Sequence, residues 1–506
     1  MRVLQLGMNV EIELKLRVPP EAVAKLRRHP LLKSASRPAR LVSVYFDTPS
    51  LDLKSKAIAL RLRKEGKRWI QTVKGGGSML AGVHTRHEWE TPVLRGALDF
   101  TRIEDRSLIQ FFGSSELRRN LSPVFVTEFS RKNIPVEFGG SAIAYCLDRG
   151  KILSGGREEC ISEVELELKS GHPSALFDFA LELQKTVPLF VEERSKAERG
   201  YALLMGRSVR APAKASAVDL DRKMDVEAAF REIVRGCLWQ LQGNVQGLLG
   251  RDADCEYLHQ MRVGLRRMRC AFGMFSTFFG KAAFSEMIPE LRWLGEELGS
   301  ARNWDVFVLE TLPPIVDALS SQCDFRELKL ASETLRMKSS ERAVEAVSSQ
   351  RFQSLLLKLG AALSRKSWPQ EPSVPIFGFA NRVLEKRFRS FEKGGKNIGS
   401  LDAAELHALR ISGKKLRYAA EFFSTLYPGH AARGFLREMA GIQDVLGAIN
   451  DAATTSRLLD TLPDMAASHL VRGWVACDAR HRAGQLGRKR FKTLTPFWKI
   501  KEQQWI

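Results

Sequence analysis

Hydrophobic and polar residues alternate along the first two hundred positions, and then the alternation stops. Runs of period two occupy 9–17, 41–47, 58–63, 68–74, 86–91, 124–131, 143–149 and 161–169. Successive side chains of a strand point to opposite faces, so each run predicts a β-strand with one apolar face. Turn-rich segments such as Gly75-Gly76-Gly77 and Gly139-Gly140 separate the runs, and 20–29 and 174–186 carry helical spacing. From about residue 225 apolar positions recur every three or four residues, which predicts long helices. The stretch 206–224, with Pro212 among Ala, Ser and Lys, reads as a linker. A proline-bearing gap from Trp368-Pro369 to Pro375 divides the helical part.

The two sides of that gap are related. His259, Arg262, Arg266, Arg267 and Arg269 reappear, 148 residues on, as His407, Arg410, Lys414, Lys415 and Arg417. Leu298-Gly299 followed by Arg302-Asn303 matches Leu446-Gly447 followed by Asn450-Asp451 at the same shift. Two motifs sharing one offset indicate a duplicated helical unit. The expected organisation is a strand-rich domain over 1–205, a linker over 206–224 and a helical domain over 225–495, with halves at about 225–367 and 376–495.

Composition narrows the class. With 506 residues, 44% hydrophobic and 27% charged, the chain suits two or three well-cored domains. No run approaches the roughly 18 apolar residues that span a bilayer, and the first residues lack a signal-peptide layout. Met8, three residues before Glu11, is an alternative start. Seven scattered cysteines without a C-x-x-C pair predict reduced thiols and a cytoplasmic location. The net charge is +21, with 35 Lys and Arg against 25 Asp and Glu over 1–210 and 44 against 33 in the remainder. Both parts therefore favour polyanionic partners, and charge alone does not choose among nucleic acid, acidic membrane and polyphosphate.

Several strands carry mixed charges on one face. Glu11, Glu13 and Lys15 share a face, as do Arg61 and Arg63, Thr72 and Lys74, Arg86, Glu88 and Glu90, and Glu163, Glu165, Glu167 and Lys169. Such faces suit a barrel whose interior holds a metal-bound anion, because carboxylates take hard divalent cations and guanidinium forks take phosphate oxygens. Alternation does not say which face points inward, and a solvated face fits the same pattern.

In order along 8–205 stand Glu11-x-Glu13-x-Lys15, Tyr45-Phe-Asp-Thr48, Arg61-x-Arg63, Thr72-Val-Lys74 and Arg86-His-Glu88. Arg131, Leu147-Asp148, Glu163-Val-Glu165-Leu-Glu167 and Ser195-Lys196 to Arg199-Gly-Tyr201 follow. This series resembles the CYTH domain, the triphosphate tunnel fold. The resemblance implies an eight-stranded antiparallel barrel that hydrolyses inorganic or thiamine triphosphate, or cyclises ATP, with Mg²⁺ or Mn²⁺. It implies Glu11, Glu13, Asp148, Glu163 and Glu165 as metal ligands and Arg61, Arg63, Lys74, Arg86 and Arg131 as phosphate clamps. Lys15, Lys196 and Arg199 are placed at the rim and terminal phosphate, with Glu11, Glu13 and Lys15 the catalytic set. Glu90, Glu167 and Lys169 balance charge.

In the helical half, His259, Arg262, Arg266 and Arg269 are spaced 3, 4 and 3, one stripe of a helix, and the second copy repeats it. Like charges four apart cost about a few tenths of a kcal/mol each, so something other than helix stability explains them. Neither histidine is read as a zinc ligand; a buried, hydrogen-bonded histidine or a phosphate donor is expected instead. The duplicated H-x-x-R motif and the L-G-x-x-R-N and N-D pairs resemble the CHAD domain. That resemblance implies an all-α domain of two pseudo-symmetric bundles whose basic groove, built on His259, Arg262, Arg266, Arg267, Arg269, His407, Arg410, Lys414, Lys415 and Arg417, binds inorganic polyphosphate. Arg302-Asn303 becoming Asn450-Asp451 implies that the copies need not bind equally. Neither stripe interleaves aromatics as a single-stranded nucleic-acid groove would, although Tyr418 sits beside the second.

The expected fold class is thus α+β and multidomain, and the expected function is a metal-dependent inorganic triphosphatase joined to a polyphosphate-binding helical domain. The alternatives are a thiamine triphosphatase or adenylate cyclase of the same fold, and a non-catalytic polyphosphate scaffold; nothing marks a thiamine or adenine pocket, since Trp69 and Trp89 could stack a ring but barrel tryptophans more often pack. No membrane partner is expected, and an association with polyphosphate granules is.

Overall fold

The computed structural model describes residues 10–33, 36–206, 210–250, 254–365, 374–396, 398–485 and 494–499. The alternative starts Met1 and Met8 and most of the gap 368–375 lie outside the described residues. Contacts divide the chain into two compact units, Met1–Ala211 with Ser349–Ser367, and Pro212–Ser348 with Trp368–Ile506. No helix among the described residues is long and apolar enough to cross a membrane.

The first unit is built on eight antiparallel strands: β1 (Val10–Arg17), β2 (Ala39–Asp47), β3 (Ile58–Glu65), β4 (Arg68–Leu80), β5 (Val83–Val93), β6 (Ser122–Phe138), β7 (Ser141–Ser154) and β8 (Arg157–Ser170). They pair in the order β5-β4-β3-β2-β6-β7-β8-β1, and β5 pairs back onto β1 to close the ring. Closure removes the exposed sheet edges and gives every strand an inner and an outer face.

Packing decides which face is which. Leu14 and Leu16 of β1 are fully buried on the outer wall. The helix α1 (Ser174–Gln184) packs on β1 and β8 and buries Leu176, Phe177, Phe179, Ala180 and Leu183. With the apolar faces covered from outside, the alternating charged residues are left inside the ring. A second helix, Gln350–Ser364, packs on α1. Its Gln350 and Gln353 side-chain oxygens accept from the Leu189 and Val191 amides at 3.2 and 2.9 Å. Ser354 donates to Gln184 at 2.6 Å. This helix lies beyond residue 225 in sequence yet buries its leucines in the barrel unit.

The second unit is helical. Its core includes Phe230 of α3 (Val226–Gln242), whose ring lies 5.6, 5.1 and 5.2 Å from those of Phe272, Phe275 and Phe279 of α4 (Cys255–Phe279). α4 packs on α5 (Met287–Val306) as α7 (Ala403–Phe423) packs on α8 (Gly429–Leu459), with α6 (Ile376–Gly395) against α7. The duplication is visible in the caps. Asp254 caps α4 by accepting from the Glu256 amide, and Asp402, 148 residues on, caps α7 in a capping box with Glu405.

Candidate functional site

Strand register brings the acids of the barrel to its cations. Arg131 stands opposite Asp148, Asp148 opposite Glu163, and Lys15 opposite Glu165. Arg131 donates to Asp148 at 2.8 and 2.6 Å through Nε and Nη2, a bidentate fork, and also pairs with Glu165. Lys15 bridges Glu13, at 2.7 Å, and Glu165. The helix α2 (Lys196–Met205), held by a capping box between Ser195 and Glu198, adds two more cations one turn apart. Lys196 Nζ lies 2.6, 2.5 and 3.0 Å from Asp148, Glu163 and Glu165, and Arg199 lies 2.7 Å from both Glu159 and Glu163. α2 lies this close because residue 200 is glycine; a Cβ there would fall 2.3 Å from the Phe125 ring.

The facing wall comes from β3, β4 and β5. Lys74 pairs with Glu11 and, at 3.0 Å, with Glu88; Arg61 lies 3.5 Å from Glu88 and 3.4 Å from Glu90. Arg86 donates to Glu198 at 3.1 Å. Between the walls lies a cavity of about 210 Å³ lined by Glu11, Glu13, Lys15, Arg61, Arg63, Lys74, Arg86, Arg131, Glu165 and Lys196. Asp148, Glu163 and Arg199 stand buried behind this lining. Glu90, Glu167 and Lys169 also reach the cavity, and so does Glu88, which the sequence reading left without a role. Its signal was available: Glu88 shares the inner face of β5 with Arg86.

Electrostatics divide these groups. Burial works against charging Lys15 and Lys196, but the carboxylates around them win and raise both above the ordinary lysine range. Burial likewise opposes ionisation of Glu13 and Glu165, yet Lys15 and its neighbours hold Glu13 at about 2 and Glu165 well below the usual range. Glu88 differs: burial, with help from Glu11 and Glu90, pushes it up to about 7 against Lys74 and Arg61. Arg63 is lowered by burial and then by Arg61 and Arg131, so cations outweigh acids around it. Arg61 Nε is buried with no hydrogen-bond partner, an unspent donor on the cavity wall.

Asp148, Glu163 and Glu165 can each aim an oxygen within 4.8 Å of the others. An all-carboxylate, buried donor set suits a hard divalent cation, and the Lys196 ammonium already holds positive charge at that point. Glu13 joins this set only through Lys15, and Glu11 is engaged by Lys74 across the cavity.

The helical unit carries a groove of about 830 Å³ whose lining includes His259, Arg266, Arg267, Arg410, Lys414 and Arg417, with Glu421, Asp444 and Asp451 as its acids. Arg267 is buried, donates to Glu421 at 3.2 Å and lies over the Phe422 ring, so much of its role is structural. Arg262 donates to the Gly299 carbonyl at 3.0 Å and is pushed down to about 9 by burial and by Arg266, Arg302 and Arg410. Lys414 falls to about 7 through burial and the same kind of neighbours, Arg410 and Arg266. His407 bonds Asn450 at 2.9 Å. Arg262, His407 and the exposed Lys415 stand outside the lining, and Arg269 faces Arg292 and Glu296 instead.

Comparisons with known proteins follow the same division. Residues 9–201 match the CYTH domain model and residues 232–460 the CHAD domain model. The chain is 34% identical over 198 residues to the inorganic triphosphatase of Haemophilus influenzae, a match covering 39% of this chain and 55% of that protein. The chain thus spans about half the length of that relative. It is 27% identical over 404 residues, 75% of each chain, to an uncharacterized protein of Mycobacterium tuberculosis. The crystal structure of the CHAD domain from the plant Ricinus communis is similar over 56% of this chain and 98% of that one, at 31% identity and a TM-score of 0.49. The chain carries a CYTH domain in its barrel region followed by a CHAD domain in its helical region.

Proposed function

We propose that the barrel is a metal-dependent inorganic triphosphatase, releasing phosphate and diphosphate from tripolyphosphate, and that the helical unit binds inorganic polyphosphate. The observation that carries the first part is the cavity itself. Facing cations and carboxylates enclose about 210 Å³, and a short phosphate chain matches that charge better than any apolar ligand. The Haemophilus influenzae relative named as an inorganic triphosphatase supports the substrate class.

In this reading Arg61, Arg63 and Arg131 grip the phosphate oxygens, and the unpartnered Arg61 Nε gains an acceptor. Lys74 and Arg86 orient the chain from the facing wall, and Lys15 and Lys196 stabilise charge that develops on the departing diphosphate. Asp148, Glu163 and Glu165 would hold Mg²⁺ or Mn²⁺, with Glu13 linked to them through Lys15 and Glu11 across the cavity. Such an ion supplies charge neutralisation on phosphate oxygens and a more acidic bound water. Binding the ion requires Lys196 to yield part of its contact with the three carboxylates. Carrying both domains on one chain would concentrate phosphate polymer near the barrel. With all seven cysteines free, we assign the protein to the cytoplasm, with granules as a site of action.

The test compares phosphate release from tripolyphosphate, thiamine triphosphate and ATP, each with Mg²⁺ and with Mn²⁺. Tripolyphosphate is expected to turn over fastest, and only with metal. Faster thiamine triphosphate hydrolysis, or cyclic AMP formation, would replace the substrate assignment. No release under any condition would leave a binding scaffold.

A further inference from the structure

The two copies of the helical motif place different charges at equivalent positions. In the first copy Arg302 and Asn303 stand beside His259 and Arg262, and Asn303 Oδ1 accepts from Arg262 at 3.5 Å. In the second copy the same positions are Asn450 and Asp451. Asn450 is engaged by His407 at 2.9 Å, and Asp451 lies exposed on the groove wall with its oxygen accepting from Asn450 at 3.4 Å. Among the described residues no cation comes within ion-pair distance of Asp451, yet its charge acts on Arg262, Arg410 and Lys414 together. Arg410 also keeps a buried Nε without a partner. A carboxylate that shares the groove wall with Arg410 and Lys414 and closes on neither is a poor structural counter-ion. It is well placed to oppose an incoming anion.

We propose that Asp451 sets the groove's affinity for a phosphate polymer: it weakens the second copy's contribution by competing with phosphate for Arg410 and Lys414, which share the groove wall with it. This inference rests on the polyphosphate reading of the helical unit and adds a specificity-determining residue to it. The chemical reason is local charge. Phosphate oxygens and the Asp451 carboxylate seek the same donors, and each phosphate that settles beside Asp451 meets like charge in a partly desolvated groove. In the first copy a neutral amide occupies the equivalent position, so no such penalty arises.

The duplication supplies its own test. Asp451→Asn gives the second copy the first copy's residue, and Asn303→Asp does the reverse. Binding of inorganic polyphosphate of one defined length to the full chain is measured at low salt, with EDTA and with Mg²⁺, alongside Glu327→Gln, which removes an exposed carboxylate away from the groove lining. Asp451→Asn should tighten binding about threefold and Asn303→Asp weaken it by a similar factor, the size of an exposed charge interaction. Glu327→Gln should change nothing, and the differences should shrink as salt rises. Unchanged or weaker binding by Asp451→Asn overturns the proposal, and weakening confined to Mg²⁺ would make Asp451 a metal bridge instead. An equal gain from Glu327→Gln reduces the effect to net charge and also overturns it. Absence of any wild-type binding isotherm removes the polyphosphate reading itself, a result distinct from a wild type that binds and a variant that does not respond.

Discussion

In the barrel, Lys15 and Lys196 hold their protons more tightly than a free lysine; in the helical groove, Lys414 is driven down to about 7 and Arg262 to about 9. Burial works against the charge of all four. What differs is the company. Glu13, Glu165, Asp148 and Glu163 overcome burial in the barrel, whereas Arg410, Arg266 and Arg302 reinforce it in the groove. The barrel is thus largely neutralised within itself, with Arg63 as an exception among Arg61 and Arg131. The groove instead leaves repelling cations together, a surface that gains stability when a polyanion arrives.

The largest effect that could break this contrast is on stability. Lys196→Met leaves Asp148, Glu163 and Glu165 buried without their shared cation, and should cost about 3–5 kcal/mol in urea unfolding. A variant as stable as wild type would mean that the barrel network is not self-neutralising. Arg262→Met, beside the groove, should behave oppositely. Relief of repulsion offsets its lost bond to Gly299, so stability stays within about 1 kcal/mol of wild type. Polyphosphate affinity nevertheless falls about tenfold, the scale of a charged contact.

A finer test uses pH. Lys414 faces Arg410, Arg266 and Arg262, opposed by Asp451, and its folded value lies near 7, below that of a free lysine. A bound polyanion draws that value back up, so binding takes up a proton. Affinity should be fully developed below pH 7 and fall as pH rises, by at most about tenfold per unit for one proton. Lys414→Arg should flatten the fall. The raised barrel lysines offer no such step near neutrality, so a matching pH dependence in a Lys414→Arg protein would contradict the assignment.

Much of this was legible before any coordinates. Alternation put Glu11, Glu13 and Lys15 on one face, and a repeat of 148 residues announced the duplicated helices. Alternation was silent on which face is inner; the burial of Leu14 and Leu16 on a strand against which α1 packs settles that. The pairings were not legible either, because Lys15 meets Glu165 and Arg131 meets Asp148 through strand register, which a single sequence does not display. The spacing of 3, 4 and 3 suggested one stripe from His259 to Arg269. Ten residues at 3.6 per turn end about 80° away from the starting direction, and Arg269 accordingly turns to Arg292. The helix Gln350–Ser364 was unreadable for another reason: an apolar face records that it is buried, not against which core.

The measurement closest to the central claim is phosphate release from tripolyphosphate with Mg²⁺ and with Mn²⁺ by wild type and by Glu13→Gln, both checked for an intact fold by circular dichroism. Wild type should release phosphate only with metal, and the variant should lose orders of magnitude in rate, because Glu13 anchors Lys15 at the cavity wall. Hydrolysis by Glu13→Gln at the wild-type rate would contradict that claim.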